Sequence, residues 1–229
     1  MQSFPLPPID LSPAGLLHAY CNGIFPMASP VTEQVDWYHP EERGVLPLEN
    51  LRVSRSLRKV VEKGPFEVAF DRDFAQTIAT CAELRPNDTW ISAEIRGAYV
   101  ALHEAGFAHS VETWRDGRLV GGLYGVAING AFFGESMFHT ETDASKVALV
   151  ALVRHMRERG MLLLDTQDAT PHLASLGVLS VDRDRYGTLL SDGLLSSASF
   201  DSRTRHVSLI SGFVEDQTWF LPDVEALKI

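Results

Sequence analysis

Residues 108–138 read AHSVETWRDGRLVGGLYGVAINGAFFGESMF, and this stretch decides the fold. Asp116-Gly117 and Asn129-Gly130 divide it into three runs. Asp-Gly and Asn-Gly favour the left-handed backbone that tight hairpin turns require. AHSVETW alternates in polarity, and RLVGGLYGVAI and AFFGESMF are rich in branched and aromatic residues. Residues 107–138 therefore predict a three-strand antiparallel meander.

Downstream, DASKVALVALVRHMRERG predicts a long helix capped by Asp143 or Ser145 and stopped at Gly160. MLLLDTQ reads as a buried strand and PHLASLG as a short helix with proline at its start. Meander, helix, strand and helix in that order resemble the core of the GNAT acyltransferase fold, a topological analogy that does not fix a function. Upstream, SAEIRGAYVALHEAG predicts a helix begun by Ser92 and ended at Gly106, and FEVAFDRDF a strand leading to Asp73, the cap of FAQTIATCA. RVSRSLRKVVEKG predicts a basic helix.

Eight of the twelve prolines fall in the first 50 residues and forbid long helices there. LSPAGLLHAYCNG is the one helical phrase, with Ser12 as cap and Gly23 as stop. The fold class expected is α+β (mixed α/β). It comprises a small N-terminal lobe at 1–48 and a GNAT-like domain at 49–229, with the Ser-rich stretch at 194–202 as the best linker candidate.

The chain of 229 residues, 45% hydrophobic and 22% charged, has an ordinary soluble composition. A net charge of −10 argues mildly against non-specific nucleic-acid binding, which a local basic patch can override. Cys21 and Cys81 form no CxxC and no zinc spacing, and two lone thiols read as a reducing cytosol. No signal peptide and no membrane-length apolar run is visible.

Several motifs can be rejected. GESMF has Ser136 but lacks the second glycine of a nucleophile elbow, no phosphate loop occurs, and HEAGFAH has the wrong spacing for a zinc helix. GGLYG lies inside a strand, where glycine lets a ligand or another backbone approach.

Asp165 and Gln167 remain as candidates. Spaced i, i+2 at the end of a buried strand, they point to one face. The bland alternative is a loop cap and a backbone-bonding amide. Glu135 in FFGESMF is a weaker candidate, since an isolated acid in a strand is more often solvent-facing than held in an apolar site. Five cations, Arg52, Arg55, Arg58, Lys59 and Lys63, fall within twelve residues. Such a run is usually a solvated face, but in so acidic a chain it is also a candidate phosphate contact. Trp90 reads as core or as a ligand platform.

Together, AYCNGIFPM, WYHPEERGVLPL, VSRSLRK, TWI, AHSVETWRDGRLVGGLYGV, FFGESMF, ASKVAL and DTQ followed by HLASLG resemble the leucyl/phenylalanyl-tRNA–protein transferase family. The resemblance runs from Leu11 to Tyr186, and residues 192–229 carry no family phrase. It implies transfer of Leu, Phe or, less well, Met from aminoacyl-tRNA to proteins that begin with Arg or Lys, creating an N-terminal degradation signal. No metal or coenzyme is implied, and a cytoplasmic monomer is expected.

By position, the resemblance implies Asp165 and Gln167 as a catalytic pair with Glu135 near the same centre. It implies Leu123, Phe132, Met137, Leu149 and Leu152 as walls of the donor side-chain pocket. Trp90 and Tyr20 would flank the terminal adenosine or aminoacyl group, and Arg55, Arg58 and Lys59 would hold tRNA phosphates. Strict alternation puts Phe132 and Met137 on opposite faces, so a bulge at Gly134, or a pocket wrapping the strand edge, is required.

The chain departs from the family pattern in Met27 for a tryptophan, Thr166 for a cysteine, and PPID in place of GGDL near the start. Two rivals are weighed. A coenzyme-A-dependent N-acetyltransferase would need a glycine-rich turn where this chain has HTETDASK, and a non-catalytic RNA-binding module would leave the acids idle.

Overall fold

The computed structural model describes residues 9–85, 89–201, 209–214 and 217–222, the last two segments as backbone only. The elements run α1 (Pro13–Cys21), β1 (Phe25–Ala28), β2 (Val35–Tyr38), β3 (Glu42–Val45), α2 (Arg55–Lys63), β4 (Glu67–Phe70), α3 (Phe74–Glu83) and α4 (Ala93–Glu104). The meander follows as β5 (Ala108–Arg115), β6 (Arg118–Ile128) and β7 (Ala131–His139), then α5 (Ala144–Glu158), β8 (Leu163–Gln167), α6 (Pro171–Ser175), β9 (Leu179–Asp182) and α7 (Arg183–Leu195). A final hairpin is β10 (Leu209–Val214) and β11 (Gln217–Pro222).

Seven strands form one mixed sheet in the order β4-β5-β6-β7-β8-β3-β9. Within this sheet only β7 and β8 pair in parallel. The fold is thus mixed α/β, with meander, helix, strand and helix in the expected order. Asp116 and Asn129 both take positive φ at the two hairpin turns. Ser12, Asp73 and Ser92 cap their helices through side-chain oxygens, as read from the sequence, and Ser54 caps α2 in the same way. At α5 the cap differs: Asp143 is left-handed, makes no capping bond, and instead binds Lys146 Nζ at 2.9 Å.

Each face of the sheet carries its own core. Tyr124, Val126, Ile128 and Phe133 pack with α1, α3, α4 and α7 on one face. Val111, Leu123, Ala127, Phe132 and Leu164 pack with α5 on the other, and α2 covers the outside of α5 through Leu57. Two outcomes differ from expectation. β1 and β2 form a separate hairpin, while β3, inside the segment read as a lobe, is a strand of the large sheet. The stretch read as a linker is anchored: Phe200 is 1% exposed and stacks on His109 and Phe132.

The register of β7 is broken once. Tyr124 pairs with Ser136 and Gly125 with Gly134, so Glu135 is an extra residue with no partner on β6. This is a β-bulge, and it reverses the alternation beyond it. Phe132 and Met137, an odd number of residues apart, therefore reach the same core. Gly125 is required beside the bulge, because a Cβ there would lie 2.2 Å from Phe133 O and 2.5 Å from Phe132 Cε1. Gly125→Ala is expected to cost about 1–3 kcal/mol by overpacking, measured by urea denaturation. An unchanged midpoint would show that the bulge can shift to make room.

Candidate active site

β7 and β8 pair only from Ala131–Leu163 to Phe133–Asp165, although both strands run on. They part at the level of the bulge, and the three acid and amide candidates lie around this fork. The residues read from sequence as a catalytic group are therefore together, two on β8 and one on β7.

Asp165 is fully buried and its oxygens are fully engaged. Arg43 Nε lies 3.1 and 3.0 Å from its two oxygens, and Arg43 Nη2 donates to Oδ2 at 2.8 Å. The Tyr186 hydroxyl donates to the same oxygen at 2.6 Å, and the backbone N–H of Gln167 to Oδ1 at 2.7 Å. Arg43 is itself buried, donates to the Gly23 carbonyl at 2.9 Å, and lies between the rings of Phe25 and Tyr186. Burial works against the Arg43 charge, but Asp165, with Tyr186 behind it, overrides this and raises the pKa, so the ion pair persists in the core. Gly23 fits because its φ is 70° and a Cβ would meet Tyr186 Cε1 at 2.9 Å.

Gln167 has φ 62°, so its side chain leaves the strand alternation. Asp165 holds this left-handed conformation through the backbone bond and makes no bond to the amide. The Gln167 Nε2 is buried and without a hydrogen-bond partner among the described residues, an unusual state for a buried donor. The amide lies near enough to Glu135 to lower its pKa without closing a bond of good geometry.

Glu135 is buried, 9% exposed. Tyr20 donates to its Oε1 at 2.7 Å, Tyr99 to its Oε2 at 3.2 Å, and the two hydroxyls also touch each other. Each hydroxyl has one proton, so one of the two is shared between the other hydroxyl and the carboxylate. Burial raises the pKa of Glu135 to about 7, with the Asp165 charge adding to it and the Tyr20, Gln167 and Tyr99 bonds opposing it. Burial and the Glu135 charge push both tyrosines well above their ordinary value, so they remain donors.

The other candidates are placed as follows. Leu123, Phe132, Leu149 and Leu152 share one buried cluster, with Met137 packed against it. Trp90 is partly buried before α4, and its carbonyl accepts from Ala28 N at 3.1 Å. Tyr20 is fully buried with its ring 5.1 Å from that of Phe133, so it reaches the site through its hydroxyl and has no exposed ring face. Arg55, Arg58 and Lys59 are exposed on α2. Arg43, Tyr99 and Tyr186 were not singled out from the sequence. Only the position of Arg43 beside the apolar GVLPL hinted at a buried cation.

A mixed α/β fold with a strand fork lined by buried acids meets a specific set of relatives. The family described as leucyl/phenylalanyl-tRNA protein transferase matches residues 45–191, and its N-terminal domain matches residues 9–41. A leucyl/phenylalanyl-tRNA–protein transferase of Rhizorhabdus wittichii is 52% identical over 80% of this chain and 75% of its own. That of Rhodopseudomonas palustris strain TIE-1 is 50% identical over 83% and 86%. That of Akkermansia muciniphila is 47% identical over 80% and 96%. A solved ribosomal-protein-alanine N-acetyltransferase from Brucella melitensis biovar Abortus aligns with 47% of this chain and 83% of its own at TM-score 0.34 and 17% identity, too slight a likeness to support an argument.

The chain is an aminoacyltransferase. It belongs to the leucyl/phenylalanyl-tRNA–protein transferase family.

The titration of Glu135 makes a prediction about stability. The folded chain keeps a proton on Glu135 up to about pH 7, whereas an ordinary glutamate releases it near 4.5. Stability associated with this group is thus fully present below about 4.5 and is lost as pH rises through about 7. Glu135→Gln removes the buried charge. The melting temperature of the variant relative to wild type is expected to rise steadily from acid to weakly alkaline pH. A gap independent of pH would contradict the assignment.

Proposed function

We propose that the chain moves a leucyl, phenylalanyl or methionyl group from aminoacyl-tRNA to the α-amino group of proteins that begin with Arg or Lys. The new N-terminal residue is a degradation signal. This reading rests on family membership and on one observation above all: the bulge at Glu135 turns a buried acid to one face of the sheet and leaves Phe132 and Met137 in an apolar cluster on the other. An aminoacyl ester is already activated, so catalysis reduces to orienting the amine, taking its proton and stabilising the oxyanion.

In this reading Gln167 positions the amine by hydrogen bonding, its side-chain carbonyl accepting an amine N–H. Asp165 is a positioning residue that holds the Gln167 backbone. Glu135 orients the acceptor amine. Leu123, Phe132, Met137, Leu149 and Leu152 form a pocket for a donor side chain unbranched at Cβ, where each methyl-sized misfit is worth about 1–3 kcal/mol. Trp90 flanks the terminal adenosine or aminoacyl group, and Tyr20 serves the site by holding Glu135. Arg55, Arg58 and Lys59 contact tRNA phosphates. The protein works in the cytoplasm as a monomer with these substrates alone, divided into an N-terminal lobe and a catalytic domain. Among the described residues no helix is long and apolar enough to cross a membrane.

Incubation with radiolabelled leucyl-tRNA and a peptide beginning with Arg is expected to label the peptide. No label, with acetylation from acetyl-coenzyme A instead, would overturn the reading. Replacing Arg55 and Lys59 together by Ala should raise the KM for tRNA and flatten its salt dependence, by up to about 0.7–0.9 in log–log slope per lost phosphate contact. An unchanged slope would remove α2 from the tRNA surface.

A further inference from the structure

We propose that Glu135 is the proton acceptor of the transfer step, with Tyr20 and Tyr99 as the donors that hold its carboxylate, and that Asp165 takes no part in proton movement. This rests on the transferase reading above and goes beyond it by assigning the base.

The geometry separates the two buried acids. Asp165 accepts from both Arg43 nitrogens, the Tyr186 hydroxyl and the Gln167 backbone, which leaves it committed to a structural frame. Gln167 is a neutral amide and a poor base. Glu135 is paired with no cation among the described residues; the Tyr20 and Tyr99 hydroxyls donate to it, and the Gln167 amide lies nearby. It stands on the unpaired residue of the bulge, where β7 has left β8. The groups facing it come from every element around it: Tyr20 on α1, Tyr99 on α4, Tyr124 on β6, Arg43 on β3, Asp165 and Gln167 on β8, and Tyr186 on α7. Of these only Asp165 and Arg43 are charged; they pair with each other, and the Asp165 charge still acts on Glu135. A carboxyl titrating near 7 is well matched to an α-amine, whose ordinary value is about 7.7–8.0.

The step balances. The acceptor nitrogen uses its lone pair to form the N–C bond at the ester carbonyl carbon. One N–H proton passes to Glu135. Collapse of the tetrahedral species breaks the C–O bond to the ribose, and the ribose oxygen takes up the proton from Glu135. The carboxylate is restored, and an ester and an amine have become an amide and an alcohol.

The test is the single-turnover rate against pH at saturating acceptor peptide, where the free amine does not titrate. Wild type is expected to gain rate with a midpoint of about 7. Glu135→Gln should lose about 100-fold or more in rate, lose this limb, and change the KM of the peptide little. Tyr99→Phe removes a bond that lowers the pKa of Glu135, so its limb should move to higher pH, which keeps the proposal testable if Glu135→Gln fails to fold. A raised peptide KM at unchanged rate would show that Glu135 only attracts charge and would overturn the assignment. So would a limb that persists in Glu135→Gln or stays in place in Tyr99→Phe. If wild type moves no label at any pH, the transferase reading itself fails.

Discussion

One extra residue in β7 organises both faces of the sheet. Without it, Phe132 and Met137 would face opposite cores, and Ser136 would take a different partner. With it, the two apolar side chains meet Leu123, Leu149 and Leu152 on one face, while Glu135 turns towards Tyr20 and Tyr99 on the other. The bulge also coincides with the end of the parallel pairing between β7 and β8. Bulges commonly re-aim side chains beside functional sites. Here a single insertion supplies an apolar wall, a buried acid and an opening between strands.

The frame around this opening is tied by the Arg43–Asp165 pair. It joins the N-terminal segment through Gly23, β8 through Asp165 and α7 through Tyr186. A buried ion pair gains little net stability over apolar packing, but losing one partner strands the other charge and costs about 3–5 kcal/mol. It therefore works as a device of specificity: few other arrangements of these three segments satisfy both charges. The two buried acids, near each other, differ in their surroundings: Asp165 is paired with an arginine, whereas phenol hydroxyls donate to Glu135.

Much of this was legible in the sequence. Asp-Gly and Asn-Gly placed the hairpins, serine and aspartate caps placed α1, α3 and α4, and the odd spacing of Phe132 and Met137 called for a bulge at Gly134 or a pocket wrapping the strand edge, of which the structure has a bulge one residue on, at Glu135. Asp165, Gln167 and Glu135 were found as candidates, but their partners were not. Arg43 is 122 positions from Asp165, and Tyr99 is 36 from Glu135, so no local spacing links them. The alternation argument for Asp165 and Gln167 also missed the left-handed turn, because a glutamine carries no propensity for one. The proline-rich start hid the local β1–β2 hairpin and also β3, whose partners β8 and β9 are distant in sequence. Phe200 was hidden by its serine-rich neighbours, although its ring fills the core beside Phe132.

The account turns on whether a carboxyl buried at the bulge behaves as its surroundings dictate. A carbon-13 NMR titration of glutamate side chains reads this directly, with the Glu135 signal identified by its loss in Glu135→Gln. The account predicts a carboxyl midpoint of about 7 for this residue, whereas a midpoint near 4.5, the value of an ordinary glutamate, would contradict it.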